Sequence, residues 1–358
     1  MKSSSVKTFY SQPLLWGLMH GVNDFVAGCM LANFAFTHNY SDSITILVVY
    51  AIVGFGGQLP VGFWLDKQKQ LRPFAFVSII MLFLATATFF IHPAAAIILA
   101  GFAGAGIHVT GAAICLQENE DRSGPLGIFT APGVLGLTLG GLLGSFSTLY
   151  LVAALVALGI LTHLISRNGI PVYQAQNKKT TQLDTHDFAM LGILLVMCFR
   201  SFVFDVINSA ALHFEHGILI LGISAFIGKI IGGFLADKVG WKKFIYVTLP
   251  VAFVLFQFGK ENIYALAFGI ACLQSSVPIT LLLMARSLPL FRATAAALSL
   301  GTSVALAGLP LYMYSREDLF KQISAGTTWL LLFSSMAALW FVIAFLQKRK
   351  GNESLAAS

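Results

Sequence analysis

Charged residues are scarce in this sequence, since Asp, Glu, Lys and Arg make up only 10% of its 358 residues. A soluble domain carries about 25% charged residues. Apolar residues instead account for 57% of the chain, and its mean hydropathy is +0.81. A soluble fold of this length cannot bury that much apolar surface. The composition therefore excludes an ordinary soluble domain and favours a membrane protein.

Cysteine is also rare, and its four copies lie far apart, at Cys29, Cys115, Cys198 and Cys272. Each falls within an apolar run and none belongs to a CxxC pair, so neither disulfides nor a cysteine zinc site are expected. The spacing of His213, Glu215 and His216 suits a metal ion, but three residues in one loop are weak evidence. We therefore predict no metal site and no cofactor.

Twelve apolar runs are long enough to cross a hydrocarbon core about 30 Å thick, which takes about twenty helical residues. They lie at residues 12–36, 43–65, 73–91, 94–116, 125–147, 148–166, 188–211, 214–236, 244–259, 262–285, 292–314 and 326–347. The first run is longer than the apolar region of a signal peptide and predicts an uncleaved span. Lipid offers no partner for exposed backbone polar groups, so the runs predict an all-α membrane protein of twelve transmembrane helices.

Most Lys and Arg residues lie in loops on one side of these spans. The opposite side carries Lys260, Arg316 and Lys321. By the positive-inside rule, both termini and the central polar stretch are cytoplasmic. The net charge of +7 is therefore a topology signal and not a footprint for nucleic acid. We expect a multi-pass protein of the inner (plasma) membrane that contacts lipid and binds no nucleic acid.

The two sets of six runs resemble each other in detail. Residues Gly57, Gly62, Phe63, Asp66 and Lys67 recur at one constant offset as Gly228, Gly233, Phe234, Asp237 and Lys238. Such a series indicates a parallel repeat about an axis along the membrane normal. The sequence therefore predicts an N-terminal six-helix bundle at residues 1–166, a cytoplasmic linker at 167–187 and a C-terminal six-helix bundle at 188–358.

The segment GFLADKVGWKK at residues 233–243 resembles the signature loop of the major facilitator superfamily. A first copy, GFWLDKQK at residues 62–69, keeps the Gly, the Asp and the basic residues but lacks the later Gly. Glycine lets two helices approach closely, and Asp at a helix end beside basic residues can form a charge network. The resemblance implies that this network holds one alternating-access state closed. Its residues would be Asp66, Lys67, Gly233, Asp237, Lys238 and Gly240.

A narrower resemblance is to the fosmidomycin-resistance group of that superfamily. It rests on HGVND at residues 20–24, GAGIH at 104–108, and IF at 128–129 followed by GVLG at 133–136. The Pro that this group has after the histidine of the fourth span is absent. The Gly-Pro pair of the antiporter motif is absent too. The subgroup implies efflux, and these departures leave the direction of transport open.

Ionisable residues inside predicted spans are costly in lipid and are therefore candidate functional residues. They are His20, Asp24, His108, Arg200, Asp205 and Lys229. His20 and Asp24 are four residues apart and share one helical face with Asn23 beside them. At roughly 1.5 Å per residue, Asp24 and Arg200 both fall about 18 Å from the cytoplasmic ends of their helices. Several charges therefore share a layer near the membrane midplane. The superfamily resemblance places their spans around a central cavity.

Asp24 is the predicted proton-coupling carboxylate. His20 and His108 are predicted to relay protons or to bind substrate. His108 by itself also suits a histidine that is hydrogen-bonded between close-packed helices.

The substrate contacts are predicted from the cations. Arg200 and Lys229 would bind an anionic substrate, while an internal ion pair with Asp205 is the alternative. Asn23, Asp205 and Gln58 complete the predicted site, since Gln58 occupies the position of Lys229 in the other half.

These features predict a monomeric secondary transporter for a small organic anion or zwitterion, coupled to protons and without a cofactor. One alternative is an efflux antiporter for amphiphilic drugs, which the 31 Phe residues would suit. Another is a receptor or scaffold that keeps the fold but does not transport. An enzyme is not predicted, because the sequence has no HExxH motif, no phosphate loop and no nucleophile and base at suggestive spacing.

Overall fold

The computed structural model describes residues 10–144, 148–171, 185–313, 333–342 and 344, and within these ranges it contains helices and no strand. In chain order the helices are α1 Ser11–Thr37, α2 Tyr40–Leu65, α3 Arg72–Thr88, α4 Pro93–Glu118, α5 Gly124–Leu143, α6 Thr148–Asn168, α7 Thr185–Ala210, α8 Gly217–Val239, α9 Trp241–Phe258, α10 Ile263–Ser287, α11 at residues 292–313 and α12 Phe333–Val342. Each lies on one of the twelve predicted runs. Nine of these described helices are long and apolar enough to cross a membrane.

Three of the helices are interrupted. Both α2 and α11 contain a π-helical turn, at Ala51–Gly56 and Leu298–Thr302, and α10 is broken between Gln274 and Val277. Turns of the π type are frequent at functional sites. The two π turns contact each other, because a Cβ on Gly301 would lie only 2.4 Å from the carbonyl oxygen of Phe55.

The packing of α5 on α1 follows from glycine. Gly136, Gly140 and Gly144 recur every four residues and therefore lie on one helical face. A Cβ on Gly136 would lie 2.0 Å from the carbonyl oxygen of Gly21, and one on Gly140 would lie 2.2 Å from that of Phe25. Only glycine permits so close an approach of two helices. This contact holds the part of α1 that carries the predicted proton-coupling residues.

Buried apolar side chains form two clusters. One includes Trp16, Phe129 and Leu158, and the other includes Phe253 and Leu339. The first cluster also includes Leu281, Leu282 and Ala293 of the C-terminal half, so the division into two bundles stays a proposal. Most of the predicted linker and both chain ends lie outside the described residues.

Candidate functional site

A cavity of about 180 Å³ lies where α1, α2, α4 and α5 of the N-terminal half face α7, α8, α10 and α11. Its lining brings together all of the ionisable residues predicted within the spans, namely His20, Asp24, His108, Arg200, Asp205 and Lys229. The remaining lining is mostly apolar, with Phe55 and Phe204 among it, and Ser299 and Gln274 add polar groups. The layer of charge expected near the midplane is therefore one site.

Asp24 is the centre of a hydrogen-bond cluster. Its Oδ2 lies 3.1 Å from Nε2 of His20, which is one turn away on α1. Its Oδ1 lies 2.9 Å from Nε2 of His108 on α4 and accepts a 2.9 Å hydrogen bond from Nδ2 of Asn23. The two imidazole rings meet edge to face, with their centroids 4.4 Å apart. The cluster thus joins α1 to α4.

A second layer of contacts lies behind the histidines. Nδ1 of His20 is 3.2 Å from the carbonyl oxygen of Phe129, and Nδ1 of His108 is 3.0 Å from Nε2 of Gln58. Gln58 also donates a 3.0 Å hydrogen bond to the carbonyl of Gly54 in the π turn of α2. The exposed fraction of Gln58 is 0% and that of Asn23 is 1%. Neither is among the residues that line the cavity, and their contact with substrate stays a prediction.

Gly133 makes room for His20. A Cβ at this position would lie 2.2 Å from Nε2 of His20, far inside van der Waals contact. Glycine at this position therefore leaves the space that the imidazole of His20 occupies between α1 and α5.

The C-terminal half contributes two buried cations. Arg200 on α7 donates a 2.7 Å hydrogen bond to the hydroxyl of Thr280 on α10. Lys229 on α8 donates a 3.3 Å hydrogen bond to the carbonyl of Thr130 on α5. Within the described part of the chain, neither cation forms an ion pair with a carboxylate. Their direct hydrogen-bond partners are neutral oxygens, while two carboxylates, Asp24 and Asp205, line the same cavity.

His20, Asp24 and His108 are also the residue types that could hold a metal ion, and one ligand atom from each lies within 4.8 Å of the others. The same atoms already face each other at hydrogen-bond distance. We therefore treat the cluster as a hydrogen-bond network.

The two signature-loop aspartates join the halves on one side of the molecule. Asp237, near the end of α8, accepts hydrogen bonds from the backbone N–H and the hydroxyl of Ser123, at 2.9 and 2.7 Å, and from the N–H of Gly124 at 2.8 Å. Asp66, next to the end of α2, accepts from the N–H groups of Ala293 and Thr294 at 2.9 and 2.8 Å. Each carboxylate therefore caps the N terminus of a helix in the opposite half, where the helix dipole favours negative charge.

Close packing of glycines strengthens the contact between the two halves on this side. A Cβ on Gly62 would lie 2.8 Å from the carbonyl oxygen of Ala293, and one on Gly233 would lie 2.7 Å from that of Ser123. Gly240 ends α8 with φ +95°, a conformation that side chains rarely adopt.

The acidic loop after α4 crosses to the other half. Asp121 pairs with Arg286, and Glu120 pairs with Arg292. Lys67 and Lys238 are exposed on the same side. The residues that the signature-loop resemblance singles out thus lie together, on the side closed by these contacts.

Several contributors were not apparent from the sequence. The carbonyl of Phe129, the hydroxyl of Thr280 and the Ser123 cap all depend on contacts between distant segments. A backbone carbonyl has no side-chain signal, and Ser and Thr are frequent in membrane helices. The glycine at position 133 belonged to a recognised motif, but its effect on His20 appears only in three dimensions.

Comparison with known proteins identifies the fold. The sequence pattern of the Major Facilitator Superfamily matches residues 14–259. No curated protein sequence matches the chain. The structure is similar to that of a Major Facilitator Superfamily transporter, FucP, in the outward conformation, with a TM-score of 0.69 and 12% identity over 96% of this chain and 99% of that one. It is also similar to a variant of the E. coli fucose:proton symporter FucP, with a TM-score of 0.66 and 12% identity over 95% and 98% of the two chains.

At this identity the structural likeness shows the fold alone. It confirms the all-α transporter architecture predicted from the apolar runs and the repeat. The fosmidomycin-resistance subgroup stays a prediction.

Proposed function

Because the chain belongs to the Major Facilitator Superfamily, we propose that it moves a small organic anion or zwitterion across the membrane by alternating access, coupled to protons. The family and the fold indicate a multi-pass membrane transporter and not an enzyme. Its placement in the inner (plasma) membrane, with both termini cytoplasmic, and its action as a monomer are parts of the same proposal.

The observation that carries the proposal is the division of charge across the cavity. Arg200 and Lys229, with Asp205, approach from the C-terminal half, while Asp24 and its histidines approach from the N-terminal half. Among the described residues neither cation is in an ion pair with a carboxylate, so both are placed to attract a substrate anion. The carboxylate opposite them can exist in charged and neutral forms, so its protonation changes how strongly the site holds that anion.

The size of the cavity supports a small substrate. The cavity of about 180 Å³ between the halves has room for a compact carboxylate. Its charged lining favours an organic anion over an amphiphilic drug.

The closed side supports alternating access. Asp66, Asp237 and the acidic loop tie the two halves together on the side of the signature loops. By the positive-inside rule this is the cytoplasmic side. Release to the cytoplasm then requires these contacts to break as the two bundles rock about the central site. Proton coupling is further supported by the similar fold of a fucose:proton symporter.

Counterflow in liposomes tests the anion site. Protein reconstituted with internal unlabelled carboxylates should take up the matching radiolabelled compound, in a panel of small mono-, di- and tricarboxylates and amino acids. Arg200→Gln and Lys229→Gln should each raise the half-saturating concentration by at least about tenfold, since a hydrogen bond to a charged group contributes roughly 1.5–3 kcal/mol. Arg167→Gln, at an exposed position at the end of α6, is the matched control and should behave as the wild type.

Two outcomes contradict the proposal. If both cavity variants transport an anion as well as the wild type does, the cations are not the anion site. If no member of the panel is taken up, the receptor or scaffold alternative gains support over transport of a small anion.

A further inference from the structure

Resting on the proposed proton coupling, we infer that the coupling proton lies between Nε2 of His20 and Oδ2 of Asp24, and that Gln58 is a positioning residue that fixes the tautomer of His108. The inference assigns different roles to two histidines that contact the same carboxylate. It follows from which atoms can donate and which can only accept.

The orientation of Gln58 comes first. The side-chain atom of Gln58 that lies 3.0 Å from the carbonyl oxygen of Gly54 must be its nitrogen, because a carbonyl can only accept. The same nitrogen lies 3.0 Å from Nδ1 of His108. An amide nitrogen can only donate, so Nδ1 of His108 must accept and cannot carry a hydrogen. Gln58 is fully buried.

The tautomer of His108 follows. A neutral imidazole whose Nδ1 is bare carries its hydrogen on Nε2. This Nε2–H group is 2.9 Å from Oδ1 of Asp24 and donates to it. Asn23 donates to the same oxygen at 2.9 Å. Its Nδ2 also lies 3.4 Å from Nε2 of His108, too far to compete with the 2.9 Å contact between Nε2 and Asp24. Oδ1 of Asp24 therefore accepts two hydrogen bonds, and His108 is held as a neutral donor.

His20 has the opposite arrangement. Its Nδ1 faces the carbonyl oxygen of Phe129 at 3.2 Å and must carry a hydrogen in order to bond to it. Its Nε2 lies 3.1 Å from Oδ2 of Asp24. Without a further proton, two acceptors would face each other in a buried site, which is unfavourable. One proton therefore belongs to this pair, either as imidazolium and carboxylate or as imidazole and carboxylic acid.

The surroundings connect this proton to the substrate. The other titratable or charged groups around the pair are Tyr50 of α2, His108 of α4, Arg200 and Asp205 of α7, and Lys229 of α8. When the pair loses its proton, Asp24 stays negative and the bare Nε2 of His20 no longer stabilises it. The carboxylate is then drawn toward Lys229 and Arg200, where it competes with a substrate anion. Substrate and proton thus bind together and leave together.

The assignment can be measured without any substrate. Solid-state NMR of protein labelled with [15N]histidine in liposomes distinguishes protonated from bare ring nitrogens. His20→Gln and His108→Gln identify the two residues by the signals that they remove. We expect His108 to have a bare Nδ1 and a protonated Nε2, and His20 to have a protonated Nδ1 and a proton shared at Nε2. A protonated Nδ1 on His108 would overturn the assignment.

Gln58→Glu tests the positioning role. The carboxylate offers an acceptor where the amide offers a donor, so Nδ1 of His108 should gain a proton. The remaining histidine signals and the elution volume in size-exclusion chromatography should not change, which separates this effect from misfolding. If Nδ1 of His108 stays bare in this variant, Gln58 does not set the tautomer.

Transport assays distinguish the roles of His20 and His108 in a second way. Glutamine can donate an N–H group as His108 does, but it cannot take up a proton as His20 does. His108→Gln should therefore lower the rate of anion uptake but keep the ratio of protons to anions, and His20→Gln should lose proton movement. Equal proton ratios in the two variants would contradict the division of roles. If the wild type itself moves no protons, the proposed coupling fails, and the NMR result still decides the tautomers.

Discussion

Ser123 donates two hydrogen bonds to Asp237, from its backbone N–H at 2.9 Å and from its hydroxyl at 2.7 Å, and so ties the start of α5 to the end of α8. Asp66 makes the equivalent contact from the other half and accepts from the backbone N–H groups of Ala293 and Thr294. The duplicated aspartates therefore close the same side from opposite halves.

Asp237→Asn should destabilise the closed side. The amide oxygen of Asn can replace one carboxylate oxygen, but its NH2 group cannot accept the hydrogen bond that the other oxygen accepts. A hydrogen bond to a charged group contributes about 1.5–3 kcal/mol. The fraction of molecules that are open on this side should rise about tenfold for each 1.4 kcal/mol of stabilisation that the closed state loses. Double electron–electron resonance between spin labels on Gln70 and Lys243, in a background without native cysteine, measures this population as a longer distance.

Asp42→Asn is the control for this measurement. Asp42 is exposed and bonds to Asn39 in the same turn at the start of α2, away from the interface of the halves. This variant should leave the distance distribution unchanged. A distribution that is also unchanged in Asp237→Asn would show that the carboxylate does not hold the side closed.

Gly133→Ala should disrupt the Asp24 cluster, because its Cβ would lie 2.2 Å from Nε2 of His20. Overpacking of this kind costs about 1–3 kcal/mol. Thermal unfolding of the purified protein should occur at a lower temperature, and anion uptake should fall. Gly141→Ala, on the same helix with no neighbour within 4 Å of its Cβ, should be tolerated. Equal effects of the two alanines would mean that His20 does not occupy this space.

Thr280→Val should weaken anion uptake by releasing Arg200. Valine keeps the shape of threonine but cannot accept the 2.7 Å hydrogen bond that holds the guanidinium. The half-saturating anion concentration should rise by about tenfold, because a hydrogen bond to a charged group contributes about 1.5 kcal/mol. Thr248→Val is the matched control, since Thr248 bonds to the carbonyl of Phe244 in its own helix. A Thr280 variant that matches this control in uptake would remove Thr280 from the site.

The helices could be predicted from the sequence for physical reasons, and the placement of the site near the midplane stays a prediction. Lipid requires long apolar helices, and a fixed rise per residue places Asp24 and Arg200 near the midplane. The duplicated aspartates could also be found, because the spacing of the repeat is local information. The confirmed architecture rests on these constraints.

The hydrogen-bond partners within the Asp24 cluster could not be predicted in this way. The bond between Gln58 and His108 joins α2 to α4, and the partner of His20 is a backbone carbonyl. The repeat gives Gln58 the position that Lys229 occupies in the other half, which predicted a contact with substrate. In the structure Gln58 contacts Nδ1 of His108, on the side of the ring away from Asp24. The glycine spacing on α5 predicted a packing face, and only the structure shows that α1 packs on it.

Proton movement in liposomes tests the central claim most directly. A pH-sensitive dye inside the vesicles reports proton entry when a carboxylate that the protein transports is added outside. The wild type should acidify the lumen only with that substrate. Asp24→Asn should still exchange labelled for unlabelled substrate but move no protons. A wild type that moves no protons with any transported solute, or an Asp24→Asn variant that moves as many per substrate as the wild type, would contradict the account.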